Sequence, residues 1–159
     1  MEFTVKKSIF KGINFYLNQK VGGYKSNSCR IHPPSQVKID PNNSRIIVIG
    51  DIHGDFYSLL HALYKGKVIN KNSEWVGGNN IVVQLGDQLE KGGRGILSVD
   101  DTNDDTEELK VIEYMHNLHF EAKKDGGAVY NLIGNHELMN LIGDFRYATE
   151  SHIQGFGGE

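Results

Sequence analysis

The sequence lacks the features that mark several classes of protein. It contains one cysteine, Cys29, so an internal disulfide framework is excluded and a reducing, cytoplasmic compartment is expected. No apolar run is long enough to cross a bilayer, and residues 1–10 lack the continuous apolar core of a secretory signal. A formal net charge of −3 gives no basic footprint for nucleic acid. Membrane and nucleic-acid partners are therefore not expected.

Two ligand sites are excluded because single residues are missing from their patterns. The acidic run 100–105 resembles a calcium loop that would start at Asp101. Thr106, however, occupies the position of the sharp-turn glycine, and Ile112 the position of the bidentate glutamate. The turn after residue 49 carries His53 and lacks the glycine fingerprint of a dinucleotide site.

Three apolar runs in the sequence end in the same way. Residues 45–49, 81–85 and 129–133 are short apolar segments, each followed by glycine and then by a side chain with a carboxylate or amide oxygen. Such runs, bounded by turn residues, predict buried strands. The carboxyl ends of parallel strands lie at one edge of a sheet, where ligands bind. The residues expected to meet at this edge are Asp51, His53, Asp87, Asn135 and His136.

Helical patterns lie between these runs and after the last one. Asp55 is predicted to cap a helix that ends at Gly66 and buries one face, formed by Phe56, Leu59, Leu60 and Leu63. A second helix is predicted over about 106–124, with an apolar stripe formed by Val111, Ile112, Met115, Leu118 and Ala122. Asp105 and Glu108 have the spacing of a capping box at its start. A short helix follows the third run, so the order β-α-β-α-β predicts a parallel α/β unit.

The sequence before the first strand has a different character. Residues 1–44 mix lysine, asparagine, glycine and isolated aromatics. We interpret them as an N-terminal extension that either packs on the sheet or forms an arm. The main domain is expected to comprise residues 45–159.

The three motifs resemble those of a known family. Segments 50–54, 86–92 and 134–137 read G-D-I-H-G, G-D-Q-L-E-K-G and G-N-H-E, and they are similar to the ordered motifs of the calcineurin-like metallophosphoesterases. Segments 75–78 and 138–147 resemble more closely the bacterial-type, Shewanella-like phosphoprotein phosphatases. The resemblance implies a partial phosphoesterase domain, the N-terminal half of an α/β/β/α sandwich.

The resemblance also implies a metal centre. Asp51 and His53 would bind a first ion, Asp87 would bridge two ions, and Asn135 would bind the second. The cofactors would be two divalent or trivalent metal ions, Mn, Fe or Zn. Together they would neutralise the phosphoryl charge and generate hydroxide from a bound water at neutral pH.

Catalytic and phosphate-binding roles follow from the same resemblance. His136 would protonate the leaving oxygen as the general acid. Much of the family has Asp-Arg where this sequence has Glu90 and Lys91. Glu90 would orient His136 through its longer side chain, while Lys91 supplies charge without a bidentate fork. Arg94 and Arg146 are further candidates for binding phosphate.

The resemblance implies a metal-dependent phosphoester hydrolase, a phosphatase for phosphoproteins or small phosphomonoesters. A phosphodiesterase or a dinucleoside-polyphosphate hydrolase is the alternative enzyme, and an inactive binding remnant is the alternative of another class. The family adds later histidines and a second sheet that this sequence does not contain, so a second chain is one expected source of the missing half. Because the first strand is apolar on both faces, an exposed apolar surface is also expected.

Overall fold

A computed structural model describes residue 39, residues 42–90, residues 107–149 and residue 156. Lys91, Arg94 and nearly all of the predicted N-terminal extension lie outside these residues, and the domain boundary after residue 44 stays a prediction. The elements, in chain order, are β1 (Ile46–Ile49), α1 (Phe56–Lys65), β2 (Ile81–Gln84), α2 (Glu107–Lys124), β3 (Ala128–Asn131) and α3 (Asn135–Leu141). The predicted order β-α-β-α-β, followed by a short helix, is confirmed.

The three strands form one parallel sheet in the order β1-β2-β3. Ile47 is in register with Val82, and Val82 is in register with Val129. These three side chains and Ile49 point to the face that α1 and α2 cover, because alternate residues of a strand share a face. The carboxyl ends of all three strands therefore lie at one edge.

Helix α1 forms as its sequence predicts. The Asp55 carboxylate accepts a hydrogen bond from the backbone N–H of Ser58 at 2.9 Å and caps the first turn, and Gly66 ends the helix. The predicted apolar face is buried, with Leu59, Leu60 and Leu63 fully inaccessible to solvent. Burial of each leucine contributes about 2 kcal/mol to folding. This face anchors α1 on the sheet beside the turn that carries His53.

Helix α2 differs from its prediction at one core position. Tyr114 is fully buried, whereas Ile112 of the predicted stripe is only partly buried. Tyr114 lies on the same face of the helix as Val111 and Leu118, because it is three residues from one and four from the other. Ile112 lies about a quarter turn around the helix from the centre of that face. The tyrosine suits the core because its hydroxyl donates a hydrogen bond to the Ser73 carbonyl oxygen at 2.8 Å.

The opposite face of the sheet is open along β1. The side chains of Ile46 and Val48 are 51% and 59% exposed, as the apolar character of this strand on both faces predicted. Further exposed apolar side chains follow β3, including those of Ile133 and Ile142. Among the described residues, no helix is long and apolar enough to cross a membrane.

Candidate metal centre

Three residues of the candidate site have a left-handed backbone conformation. His53, Asp87 and Glu90 have φ values of 46°, 51° and 66°. L-residues rarely adopt this region, and such strain costs about 1–3 kcal/mol per residue, so it persists only where the surrounding contacts enforce it. All three follow strands β1 and β2, where the chain turns sharply out of the sheet.

Backbone hydrogen bonds hold the turn after β1 against the turn after β2. The N–H groups of Ile52 and His53 both donate to the Asp87 carbonyl oxygen, at 3.0 and 2.9 Å. The N–H of Gly54 donates to the carbonyl oxygen of Gln88 at 2.7 Å. The two ligand-bearing turns therefore form one hydrogen-bonded unit, which offsets part of their strain.

The side chains of His53, Asp87 and His136 converge at this edge. One potential ligand atom from each lies within 4.8 Å of the others. The Nδ1 atom of His53 lies 3.0 Å from the Leu89 carbonyl oxygen, so Nδ1 carries the proton and Nε2 keeps its lone pair. The His53 imidazole and the Asp87 carboxylate are ligand types that suit Mn, Fe or Zn. The donor set therefore fits the implied metal ions.

The other two predicted ligands lie at the margin of this cluster. The Asp51 carboxylate is 63% exposed, and one of its oxygens lies 3.8 Å from Nε2 of His53. Asn135 is exposed and is the first residue of α3, directly before His136. All five residues thus lie at the strand ends, with His53, Asp87 and His136 in closest association.

His136 contacts a buried carboxylate. Its Nδ1 atom forms a hydrogen bond with Oε2 of Glu90, whose side chain is almost inaccessible to solvent. The other oxygen of Glu90 accepts a hydrogen bond from the Asn140 amide at 3.0 Å. The backbone N–H of Glu90 donates to Oε1 of Glu108 at 2.6 Å. This network holds the imidazole with Nδ1 toward Glu90 and leaves Nε2 available for chemistry.

Sequence reasoning missed three residues of this arrangement. Glu108 had been assigned only to helix capping, and no role had been given to Asn140 or Glu137. The Glu137 carboxylate accepts hydrogen bonds from four backbone N–H groups, those of Asp87, Gln88, Leu89 and Gly134. The available signal was its position three residues after Gly134, the spacing at which an acidic side chain caps a helix start.

Two glycines allow the turns after β2 and β3 to touch. A β-carbon on Gly86, which has φ of 100°, would overlap the backbone of Gly134. A β-carbon on Gly134 would overlap the backbone nitrogen and carboxylate of Asp87. At Gly50, by contrast, a β-carbon would lie in open space, and φ is not positive. The close approach is therefore required at Gly86 and Gly134.

Arg146 is engaged by a neighbouring carboxylate. Its Nε and Nη2 atoms donate to the two oxygens of Asp144 at 3.0 and 2.7 Å. The hydrogen bonds from Arg146 lower the pKa of Asp144, and those bonds likewise raise the pKa of the guanidinium. A phosphate-binding role for Arg146 stays a prediction, as it does for Lys91 and Arg94 outside the described residues.

Comparison with protein families and known sequences gives consistent matches. The calcineurin-like phosphoesterase family matches residues 44–158. Shewanella-like protein phosphatase 2 of Arabidopsis thaliana is 38% identical over 112 residues, which are 70% of this chain and 25% of that protein. Shewanella-like protein phosphatase 1 of Plasmodium berghei is 36% identical over 114 residues, 72% of this chain and 28% of that protein.

A solved structure is similar over the same region. The cold-active protein-tyrosine phosphatase of a psychrophilic Shewanella species aligns with a TM-score of 0.57 and 26% identity, covering 74% of this chain and 34% of that one. The chain thus spans about a quarter of the length of these curated relatives and about a third of the solved structure.

Proposed function

Because this chain belongs to the calcineurin-like phosphoesterase family, we propose that it carries the N-terminal part of a metal-dependent phosphatase for phosphoproteins or small phosphomonoesters. The observation that carries the proposal is the convergence of His53, Asp87 and His136 at the strand ends. The phosphatase names of two relatives support this reaction over phosphodiester or dinucleoside-polyphosphate hydrolysis.

The proposed centre holds two metal ions, with Mn, Fe and Zn as the candidate elements. Asp51 and His53 would hold one ion and Asn135 the other, and Asp87 would be shared between them. When bound, the ions neutralise phosphoryl charge and lower the pKa of a coordinated water. The contact of His53 Nδ1 with the Leu89 carbonyl supports this assignment, because it directs the other ring nitrogen toward Asp51.

His136 is the proposed general acid, and Glu90 is its orienting partner. The Glu90 carboxylate accepts a hydrogen bond from Nδ1–H of His136, which keeps a proton on Nδ1 and holds the ring in one orientation. When the ring is the imidazolium, Nε2 also carries a proton, which it donates to the leaving oxygen, and the neutral imidazole that remains keeps its proton on Nδ1. Lys91, Arg94 and Arg146 are the proposed phosphate-binding cations. Two N–H groups of the Arg146 guanidinium already donate to the Asp144 carboxylate, so Arg146 would have to release Asp144 before it could bind the substrate phosphate through them.

The remaining ligands and a cover for the open sheet face are proposed to come from the rest of the family fold. A further polypeptide segment, in the same chain or in a second one, would pack on Ile46 and Val48. Its apolar residues would remove this surface from water, and its histidines would complete the centre. A cytoplasmic location is likewise proposed, resting on the single cysteine.

Hydrolysis of an aryl phosphate tests the proposal directly. The chain is assayed with added Mn²⁺ beside an Asp87→Asn variant, which keeps the shape of the side chain and removes its charge. We expect Mn²⁺-dependent turnover in the wild type and background turnover in the variant. Turnover that is equal in both proteins would contradict the assigned centre. A folded wild-type chain without turnover would support a fragment that needs the rest of the fold, or an inactive binding remnant.

A further inference from the structure

Glu137 connects the two segments that carry Asp87 and His136. It is the third residue of α3, and both of its carboxylate oxygens face backbone N–H groups. We propose that Glu137 is a positioning residue that holds the turn after β2 against the start of α3. It thereby sets where the proposed metal ligand Asp87 lies relative to the proposed general acid His136. The inference rests on the proposed function, because that function assigns these roles to the two side chains.

The hydrogen bonds of Glu137 come from both segments at once. Oε2 accepts from the N–H of Asp87 at 2.7 Å and from the N–H of Gly134 at 2.8 Å. Oε1 accepts from the N–H groups of Gln88 and Leu89 at 2.7 and 3.2 Å. One side chain thus bridges the turn after β2 and the turn after β3.

A return hydrogen bond makes the connection reciprocal. Oδ1 of Asp87 accepts from the backbone N–H of His136 at 2.9 Å. Each segment therefore supplies a carboxylate to the backbone of the other. Neither Asp87 nor His136 can move alone without breaking one of these bonds, so their relative position is set before any ion binds.

Only a carboxylate of this length satisfies the arrangement. Both oxygens receive two donors, whereas a glutamine amide would present its own N–H₂ group to two backbone N–H groups. Aspartate would keep the charge but is one methylene shorter. Hydrogen bonds to an ionised carboxylate are about twice as strong as neutral ones. Their combined strength holds Asp87 in its left-handed conformation, which an unrestrained aspartate would leave.

Backbone amide exchange tests the lock without metal or substrate. Glu137→Gln is compared with wild type and with Glu113→Gln, a matched change at a partly exposed glutamate of α2. We expect the amides of Gln88, Leu89 and Gly134 to exchange about ten-fold faster or more in Glu137→Gln. The buried α1 amides should keep wild-type rates, since the change is local. Unchanged exchange at the three amides would overturn the inference.

Metal titration then tests the positioning role. By calorimetry with Mn²⁺, the apparent Kd of Glu137→Gln should rise about ten- to hundred-fold while that of Glu113→Gln stays at the wild-type value. Equal Kd values in all three proteins would overturn the role. If the wild-type chain binds no Mn²⁺, both the proposed metal centre and the positioning role are contradicted. If the wild-type chain binds Mn²⁺ and Glu137→Gln binds it equally well, only the positioning role of Glu137 is contradicted.

A measurement on the wild type covers the case in which Glu137→Gln does not fold. The amides of Asp87, Gln88, Leu89 and Gly134 should exchange slowly in the unsubstituted chain. The amide of Lys71, which lies in an exposed turn, is the comparison. Exchange of the four amides as fast as that of Lys71 would overturn the lock.

Discussion

At the scale of single residues, the candidate centre depends on backbone conformations that its side chains do not favour. His53, Asp87 and Glu90 all have positive φ. Each is held by a neighbour outside its own turn: the Leu89 carbonyl holds the His53 ring, Glu137 holds the backbone of Asp87, and Glu108 holds the backbone of Glu90. The ligand geometry is therefore a property of the surrounding contacts rather than of the ligand residues alone.

The glycine at position 134 gives a prediction at this scale. Gly134→Ala should lower the free energy of unfolding by about 2 kcal/mol, because its methyl group overlaps Asp87 and forces a backbone shift. Mn²⁺ affinity should fall as well, since the same shift displaces the Asp87 carboxylate. Urea unfolding and Mn²⁺ titration measure the two effects.

The matched control is Gly50→Ala. The space around Gly50 is open, so this change should alter the free energy of unfolding by less than about 0.5 kcal/mol. Equal destabilisation by the two alanines would show that loss of glycine flexibility, rather than steric overlap, is responsible.

At the scale of elements, the helices determine how the strand ends are presented. Helix α1 packs its leucines on the sheet, and α2 packs against β3 and α1. Tyr114 extends this packing, because its hydroxyl connects α2 to the Ser73 carbonyl in the connection between α1 and β2. Both crossover helices therefore lie on one face of the sheet. The turns after β1, β2 and β3 all lie at the carboxyl ends of the strands.

Tyr114 supplies a prediction for stability and its dependence on pH. Burial, and secondarily the charge of Glu121, raise the pKa of Tyr114 well above its ordinary value of 10.0. The unfolded chain therefore loses this proton first, and the contribution of Tyr114 to stability, complete below pH 10, declines as the pH rises above 10.

Tyr114→Phe should lower the free energy of unfolding at pH 7 by about 1–3 kcal/mol, because it leaves the buried Ser73 carbonyl without its donor. The variant should also lose less stability than wild type between pH 9 and about 11, where the tyrosine of the unfolded chain titrates. Urea unfolding at several pH values measures both effects. Parallel pH profiles would contradict the assignment.

At the scale of the whole molecule, the described residues form a sheet with α1 and α2 on the same face. β1 leaves Ile46 and Val48 exposed on the other face, in a chain that spans about a quarter of the length of its curated relatives. Exposed apolar area of this kind binds hydrophobic probes and promotes association. The open face is therefore expected to govern how the isolated chain behaves in solution.

Replacing both Ile46 and Val48 with threonine tests this expectation. Threonine keeps the β-branched shape, so each change should alter the free energy of unfolding by less than about 0.5 kcal/mol, while dye binding and self-association should fall. The measurements are fluorescence of a hydrophobic dye and sedimentation velocity. The control is Val76→Thr, which alters a similarly exposed valine away from the sheet. An equal fall in the control would contradict a specific role for the sheet face.

The sequence by itself determined the strands, the order β-α-β-α-β, the apolar face of α1 and the edge at which His53, Asp87 and His136 meet. These features follow from local periodicity, capping and turn residues, which act over a few neighbours in the chain. The family motifs likewise depend only on residue order.

Only the tertiary structure decided how the centre is held together. Glu137 bonds to amides 48 to 50 positions away, Glu108 bonds to Glu90, and Gly134 contacts Asp87. No local pattern encodes such contacts, because two segments distant in the chain must first be placed side by side. The burial of Tyr114 rather than Ile112 is a further case, because the packing of α2 against the sheet decides which face of the helix is buried. The physical reason is the same throughout: periodicity predicts elements, whereas burial and hydrogen-bond partners depend on their assembly.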